Sequence, residues 1–147
     1  MRQSKVRMYF HLVWGTWRRL PLVTPEIERE VYRCIEGQAR KFKCVPLAIG
    51  GMPDHVHLAV KTPSNIDISR LMQQVKGVSS TLVRDQLTPG ELFRWQEGYA
   101  VFSVCPNHTK HVIAYIENQK QHHAEGTTWA EWEETDEEYL PPDENEK

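Results

Sequence analysis

Apolar residues alternate with other residues along several short stretches of the chain, and this spacing predicts strands. Residues 8–17 (MYFHLVWGTW) place apolar side chains at every second position, which indicates a strand with one apolar face. The alternation returns over residues 55–61, after a short apolar run at 45–49 and a turn-like Gly-Met-Pro-Asp sequence at 51–54, so these segments predict a hairpin. A last strand is predicted over residues 99–104 (YAVFSV).

Three other segments carry apolar residues at helical spacing. The first begins with Thr24 and Pro25, a capping and first-turn pair, and its apolar positions are Ile27, Val31, Ile35 and Phe42. The second is indicated by Ile68, Leu71, Met72, Val75, Leu82 and Val83. The third is predicted over residues 108–123. The resulting order is β-α-β-β-α-β-α, so we predict an α+β fold, a ferredoxin-like split β-α-β antiparallel sheet with an additional C-terminal helix.

Length and charge divide the chain into a body and a tail. A chain of 147 residues is the size of one domain, and we predict that residues 1–125 form it. Residues 1–124 carry 17 basic and 10 acidic residues, a net charge of +7, whereas residues 125–147 carry ten acidic residues and one lysine. The body therefore attracts a polyanion and the tail repels one. We expect residues 126–147 to be flexible, although Trp129, Trp132 and Tyr139 leave open that part of the tail packs.

No stretch of the sequence is apolar enough for a signal peptide or a membrane span, so we expect a cytoplasmic protein without a membrane partner. The three cysteines, Cys34, Cys44 and Cys105, are widely spaced and form no Cys-x-x-Cys pair. They predict neither a disulfide framework nor a zinc ribbon.

The sequence His55-Val56-His57 is the first candidate for chemistry. On a strand the two imidazoles project from one face and Val56 from the other, so both histidines can ligate one divalent cation. The alternative is a pair of ordinary, half-exposed strand residues, because a short His-x-His sequence recurs by chance.

The predicted third helix brings a second candidate. Tyr115 and Gln119 are one helical turn apart, so a phenol and a carboxamide would project side by side, next to a shared cation and phosphate. A surface tyrosine on an amphipathic helix is the alternative. Spacing alone does not favour Tyr115 over the other tyrosines of the body, which are Tyr9, Tyr32 and Tyr99.

Four segments taken in order carry a family resemblance: MPDHVHLAV, LMQQVKGVSS, GYAVFSV and HVIAYIENQ. Together they resemble the single-tyrosine HUH transposases of small bacterial insertion sequences and the related REP-associated tyrosine transposases. The resemblance covers roughly residues 8–120, and its specificity comes from His-hydrophobic-His combined with a distant Tyr-x-x-x-Gln. The acidic tail is outside the shared pattern.

The resemblance implies a function and a site. It implies that His55, His57 and Gln119 bind Mg²⁺ or Mn²⁺, and that Tyr115 is the nucleophile of a DNA transposase, an enzyme that cleaves and rejoins single-stranded DNA through a 5′-phosphotyrosine. It also implies a substrate with hairpin ends. A homodimer is implied in which the tyrosine helix crosses to the other chain, although a monomer with the site formed in cis is the alternative.

DNA contacts are predicted from exposed-looking basic residues, namely Arg18, Arg19, Arg70, Lys76 and Arg84. Trp14, Trp17 and Trp95 are candidates for stacking on bases, and the alternative is that they are core aromatic residues. A nucleic-acid-binding module without catalysis is the main alternative, because the same order of elements also serves RNA recognition. A metal phosphodiesterase that activates water is a further alternative, in which the tyrosine is dispensable.

Overall fold

A four-stranded antiparallel sheet forms the centre of the molecule in the computed structural model, which describes residues 3–135. Its strands are β1 (Met8–Gly15), β2 (Val45–Met52), β3 (His55–Thr62) and β4 (Ala100–Val104). They lie in the order β2-β3-β1-β4, and each neighbouring pair is antiparallel. This is the strand order of a ferredoxin-like sheet, so the predicted α+β fold class is confirmed.

Within the described residues, five helices accompany the sheet. They are α1 (Glu28–Lys41), α2 (Ile68–Leu82), α3 (Thr109–Glu117), α4 (Gln119–Glu125) and the short α5 (Ala130–Glu133). The helix α2 continues into one wider turn at Val83–Leu87, and a short 3-10 turn at Pro106–His108 precedes α3. No helix within residues 3–135 is long and apolar enough to cross a membrane.

The period of two along β1 and β3 divides their side chains between two faces of the sheet. Leu12, Trp14, Val56 and Leu58 point to the face covered by α1 and α2, where they form the main hydrophobic core. On the other face, Ala48 and Ala59 pack against Val112 and Ile116 of α3. These small alanines leave room for a helix close to the sheet, and the histidines of β1 and β3 share this second face.

Close contact between backbones seats α3 on the sheet. A Cβ atom built at Gly50 of β2 would lie 2.2 Å from the carbonyl oxygen of Ile116, so only glycine fits at this point. Tyr115 is the residue before Ile116, and the position of its backbone is therefore set by the edge of the sheet.

The single helix predicted over residues 108–123 is wrong, because the chain leaves the helical conformation at Asn118 (φ −105°, ψ 24°). The Asn118 side chain donates a hydrogen bond of 2.8 Å to the carbonyl oxygen of Ala114, an interaction by which asparagine competes with the regular helix. Tyr115 therefore ends up on α3 and Gln119 at the start of α4.

Part of the acidic tail is ordered against the body. We call residues 129–135 the docked segment, which contains α5. The Gln96 side chain bridges the two parts: its Oε1 accepts a hydrogen bond from the Gly15 N–H, and its Nε2 donates one of 2.8 Å to the carbonyl oxygen of Thr135. Tyr139 lies outside the described residues, and the predicted boundary at residue 126 stays a prediction.

Two of the proposed stacking tryptophans belong to the core. Trp14 is fully buried and Trp95 is 5% exposed, and their rings pack edge to face at 5.9 Å. Trp95 also donates a hydrogen bond of 2.9 Å to Ser79. For these two residues the alternative of a core aromatic is therefore the right one, because rings this deeply buried leave no face for a base.

Candidate metal and tyrosine site

His55 and His57 lie side by side on the face of β3 that α3 covers. Both are fully buried, and their rings contact each other at 5.0 Å between centroids. The alternative of half-exposed strand residues is therefore wrong. Buried imidazoles need partners for their nitrogens, and the surrounding chain supplies them.

Each of these two histidines has one ring nitrogen held by a neighbour. Nδ1 of His55 lies 2.6 Å from Oδ1 of Asp54, in the turn that precedes β3. Nδ1 of His57 lies 2.8 Å from Nε2 of His11, a fully buried residue of β1. In both cases Nε2 faces a common space, which is the arrangement found around metal-ligating histidines.

Gln119 and Tyr115 close this space from the helical side. Gln119 is 1% exposed, and its Oε1 lies 3.2 Å from Nε2 of His55. Tyr115 is 4% exposed, and its ring lies 5.9 Å from that of His57. The structure thus brings the four residues singled out in the sequence into one cluster within a single chain. Their roles stay predictions.

Glu133 of the docked segment was missed by the sequence analysis. Its Oε2 lies 2.8 Å from Nε2 of His55 and 3.4 Å from Nε2 of His57, while its Oε1 accepts hydrogen bonds from the Tyr115 hydroxyl and from the Gln119 amide. Glu133 lies in an acidic stretch of the sequence that has neither a regular spacing of apolar residues nor a recognisable motif. The flanking Trp129 and Trp132 were the only indication that this part of the tail packs.

The cluster has the donor set of a site for a divalent cation. Ligand atoms of His55, His57 and Glu133 all lie within 4.8 Å of one another, and the Gln119 oxygen is beside them. Two oxygens, from Gln119 and Glu133, converge on the single Nε2 of His55, which has at most one hydrogen to share. Imidazole nitrogens combined with carboxylate and amide oxygens can together hold a divalent cation.

Burial and charge shift the ionisation of these groups. Burial and the hydrogen bond to Glu133 raise the pKa of Tyr115 to about 12. Although burial opposes it, hydrogen bonds from His55, His57 and Tyr115 hold the pKa of Glu133 far below its usual value. Burial lowers the pKa of His57, and it lowers that of His11 to about 3, so His11 is neutral at physiological pH.

His55 differs from the other two histidines. Burial acts to lower its pKa, but the hydrogen bonds to Asp54 and Glu133 outweigh this effect and raise the pKa above its usual value. The same contact with His55 lowers the pKa of Asp54. The carboxylates around His55 thus favour positive charge at this point of the site.

The basic residues predicted to contact DNA fall into two groups. Arg19 lies at the site, where its guanidinium contacts Asp54 at 3.3 Å and Nδ1 of His55 at 3.2 Å, and the Arg18 guanidinium lies 4.3 Å from the Trp17 ring centroid. The others belong to the layer on the opposite face of the sheet, and they are Arg70, Lys76 and Arg84. Their role in binding DNA stays a prediction.

Lys76 is engaged within the chain. Its ammonium group donates hydrogen bonds of 3.0 Å and 3.1 Å to the carbonyl oxygens of Glu97 and Gly98, and burial lowers its pKa. It therefore fixes the loop that leads into β4.

An aromatic groove of about 510 Å³ runs beside the cluster, between β4, the start of α3 and the docked segment. Its walls include His11, Phe102, Trp129 and Trp132. Trp129 is 61% exposed and stacks on Trp132 at 4.7 Å. The exposed aromatic surface next to the site is thus supplied by the docked segment.

Comparison with known proteins gives a consistent result. The family model described as "Transposase IS200 like" matches residues 4–119. The ISDra2 transposase TnpA of Deinococcus radiodurans is 23% identical over 120 residues, which cover 77% of this chain and 84% of that protein.

Two solved structures share the fold. A crystal structure described as a transposase from Deinococcus radiodurans aligns with a TM-score of 0.59 and 22% identity, over 81% of this chain and 98% of that one. A REP-associated tyrosine transposase bound to a REP hairpin aligns with a TM-score of 0.61 and 17% identity, over 87% of this chain and 74% of that one.

Proposed function

The chain belongs to the IS200-like family of single-tyrosine HUH transposases, and on this premise we propose that it cleaves and rejoins single-stranded DNA through a phosphotyrosine at Tyr115. The proposed cation ligands are His55, His57 and Gln119, with Mg²⁺ or Mn²⁺ as the cation. Glu133 is a further candidate ligand from outside the segment that matches the family.

One observation carries the proposal. The Tyr115 ring contacts the His57 ring at 5.9 Å, and Gln119 contacts His55 at 3.2 Å, so the nucleophile and the ligands share one buried cluster. A nucleic-acid-binding module without catalysis needs neither a buried tyrosine nor a set of metal ligands beside it. This geometry supports a covalent strand transferase over the binding module.

The proposed chemistry forms and breaks one bond to phosphorus. The Tyr115 oxygen attacks the scissile phosphate, and the bond between phosphorus and the 3′ oxygen of the preceding nucleotide breaks. The products are a 5′ phosphate joined to Tyr115 and a strand with a free 3′ hydroxyl. The phenol loses a proton and the departing oxygen gains one. Because the ester bond is conserved on Tyr115, a second 3′ hydroxyl can reverse the step and join two strands.

The residues of the cluster have distinct tasks in this reaction. His55, His57 and Gln119 would hold the cation, which would polarise the phosphate and favour the ionised phenol. The carboxylate of Glu133 accepts the hydrogen bond of the Tyr115 hydroxyl and keeps the phenol neutral as long as this contact persists. Arg19 adds positive charge beside His55, where a phosphate would be attracted.

We propose single-stranded DNA with hairpin ends as the substrate. The basic surface of the body supports binding to a polyanion, and the REP-associated relative was solved with a hairpin. The predicted homodimer with an exchanged tyrosine helix is retained as a proposal. In the described chain the cluster is complete without a second copy.

A covalent adduct is the direct test. We expect the protein, incubated with a hairpin-bearing single strand and Mn²⁺, to give a DNA-linked species that survives denaturing electrophoresis. Tyr115→Phe removes only the nucleophilic oxygen, so it should bind the strand normally and give no adduct. His57→Ala should lose the adduct and bind Mn²⁺ weakly.

Other outcomes of the same test contradict the proposal. Undiminished strand cleavage by Tyr115→Phe would indicate a phosphodiesterase that uses water. DNA binding without any cleavage by the unaltered protein, in Mg²⁺ and in Mn²⁺, would favour the binding module.

A further inference from the structure

His11 is a buried polar residue for which the fold alone gives no reason. It lies on β1 opposite Ala59 and Phe102, is fully buried, and contacts the rings of Phe102 and Trp132 at 5.8 Å and 5.4 Å. An apolar side chain would fill this environment without desolvating two ring nitrogens.

Within residues 3–135, the only hydrogen-bond partner of the His11 side chain is His57, which lies on the same face of the sheet. Its Nε2 lies 2.8 Å from Nδ1 of His57, and its Nδ1 has no partner among the described residues. The two rings stack at 5.1 Å between centroids. Each ring therefore restricts both the position and the rotation of the other.

His55, the other histidine of β3, also has its Nδ1 held by a neighbour, but that neighbour is a carboxylate. Asp54 holds Nδ1 of His55 at 2.6 Å, which leaves Nε2 of His55 directed at the cluster. His57 has no carboxylate at its Nδ1, and His11 takes that place. In known metal sites the partner of the second ring nitrogen fixes the orientation and the tautomer of the ligand.

We propose that His11 is a positioning residue of the metal site, which orients the His57 imidazole and fixes its tautomer so that Nε2 faces the cation. This inference rests on the proposed function. It adds a residue of β1 to a site otherwise built from β3, α3, α4 and the docked segment.

The proton count of the pair is consistent with this role. When Nε2 of His57 gives its lone pair to a cation, the proton of His57 is on Nδ1 and is donated to Nε2 of His11. Neutral His11 then carries its own proton on Nδ1. The pair keeps two protons in total, and neither ring becomes charged.

Mn²⁺ titration followed by electron paramagnetic resonance tests the inference without any DNA. His11→Phe keeps a ring of similar size but removes the hydrogen bond to His57, so we expect Mn²⁺ to bind about 10- to 100-fold more weakly. His11→Gln retains one donor and one acceptor and should recover most of the affinity. His111→Phe, which removes an exposed histidine of α3, is the matched control and should bind as the unaltered protein does. Melting temperatures in EDTA show whether each variant is folded.

Nuclear magnetic resonance of the imidazole nitrogens gives a second readout, in the unaltered protein and independent of any variant's folding. With Mg²⁺ bound, His57 should carry its proton on Nδ1. A proton on Nε2 of His57 in that state would overturn the inference, and so would unchanged Mn²⁺ affinity in His11→Phe while His57→Ala binds weakly. If His57→Ala also binds Mn²⁺ as the unaltered protein does, the proposed metal site itself is wrong, and the inference falls with it.

Discussion

The hydroxyl of Tyr115 is held by two groups of the docked segment. It donates a hydrogen bond to the Glu133 carboxylate and accepts one of 3.0 Å from the backbone N–H of Trp129. A carboxylate acceptor stabilises the neutral phenol and disfavours the phenolate. The conformation described here therefore keeps the nucleophile protonated, and activation requires Glu133 to be neutralised or moved.

Replacing this carboxylate should make Tyr115 easier to ionise. In EDTA we expect Glu133→Gln to lower the pKa of Tyr115 from about 12 towards its ordinary value of about 10, although burial still raises it. Ultraviolet titration of phenolate, with the same titration of a matched Tyr115→Phe variant subtracted, measures the change. Because the pKa in the fold is raised, this interaction stabilises the protein at neutral pH and is lost as the pH rises through about 12. An unchanged pKa in Glu133→Gln would show that the hydrogen bond has no part in the shift.

At the scale of elements, the position of the nucleophile depends on how α3 meets β2. The contact is between backbones, since the Gly50 Cα faces the carbonyl oxygen of Ile116. A side chain could rotate away from an added Cβ atom, but a backbone carbonyl group can move only together with its helix. A substitution at Gly50 therefore acts on the entire helix.

We expect Gly50→Ala to displace α3 and to lower the free energy of unfolding by about 1–3 kcal/mol, as overpacked cores do. Adduct formation should fall by more than DNA binding does, because Tyr115 moves with the helix. Gly37→Ala is the control: it lies within α1 with no atom near the added Cβ, and should raise the free energy of unfolding by roughly 0.5–1 kcal/mol. Thermal melts and adduct yields measure both. A Gly50→Ala protein with normal stability and yield would contradict the role of this contact.

The strands and the first two helices were predictable because the spacing of their apolar residues reflects which side of each element is buried. His55 and His57 were found because a strand places alternate residues on one face, and Tyr115 and Gln119 because the family motif links them across the chain. The break at Asn118 was missed, since a single asparagine is compatible with a continuing helix. Glu133 and His11 were missed for a different reason: their partners are distant in sequence, and nothing in the local pattern separates them from other acidic or strand residues.

Over the whole molecule, charge is distributed unevenly along the chain. The ten acidic residues of the tail are attached to a body with a net charge of +7. The tail begins beside the cluster, at the end of α4. It therefore lowers the electrostatic attraction of the site for a phosphate backbone.

A chain that ends at Gly126 carries 17 basic and 11 acidic residues, so it should bind single-stranded DNA more tightly than the full chain at low salt. The difference should shrink as the salt concentration rises, because exposed charges are then screened. Fluorescence anisotropy of a labelled hairpin strand at several salt concentrations measures it. A full-length variant with the acidic residues of 136–147 changed to amides keeps the docked segment and separates charge from steric cover. Equal affinity of the full and shortened chains at low salt would contradict the prediction.

The docked segment is joined to α4 only through Gly126, Thr127 and Thr128. Its effective concentration at the Tyr115 hydroxyl is therefore fixed by this short linker, at about the millimolar level or above, and does not change with the amount of protein. A strand that must displace this segment to reach the Tyr115 hydroxyl competes with an occupant that never diffuses away. Release of the occupant is then a first-order event, and it sets a ceiling on the rate of strand transfer that no concentration of DNA can raise.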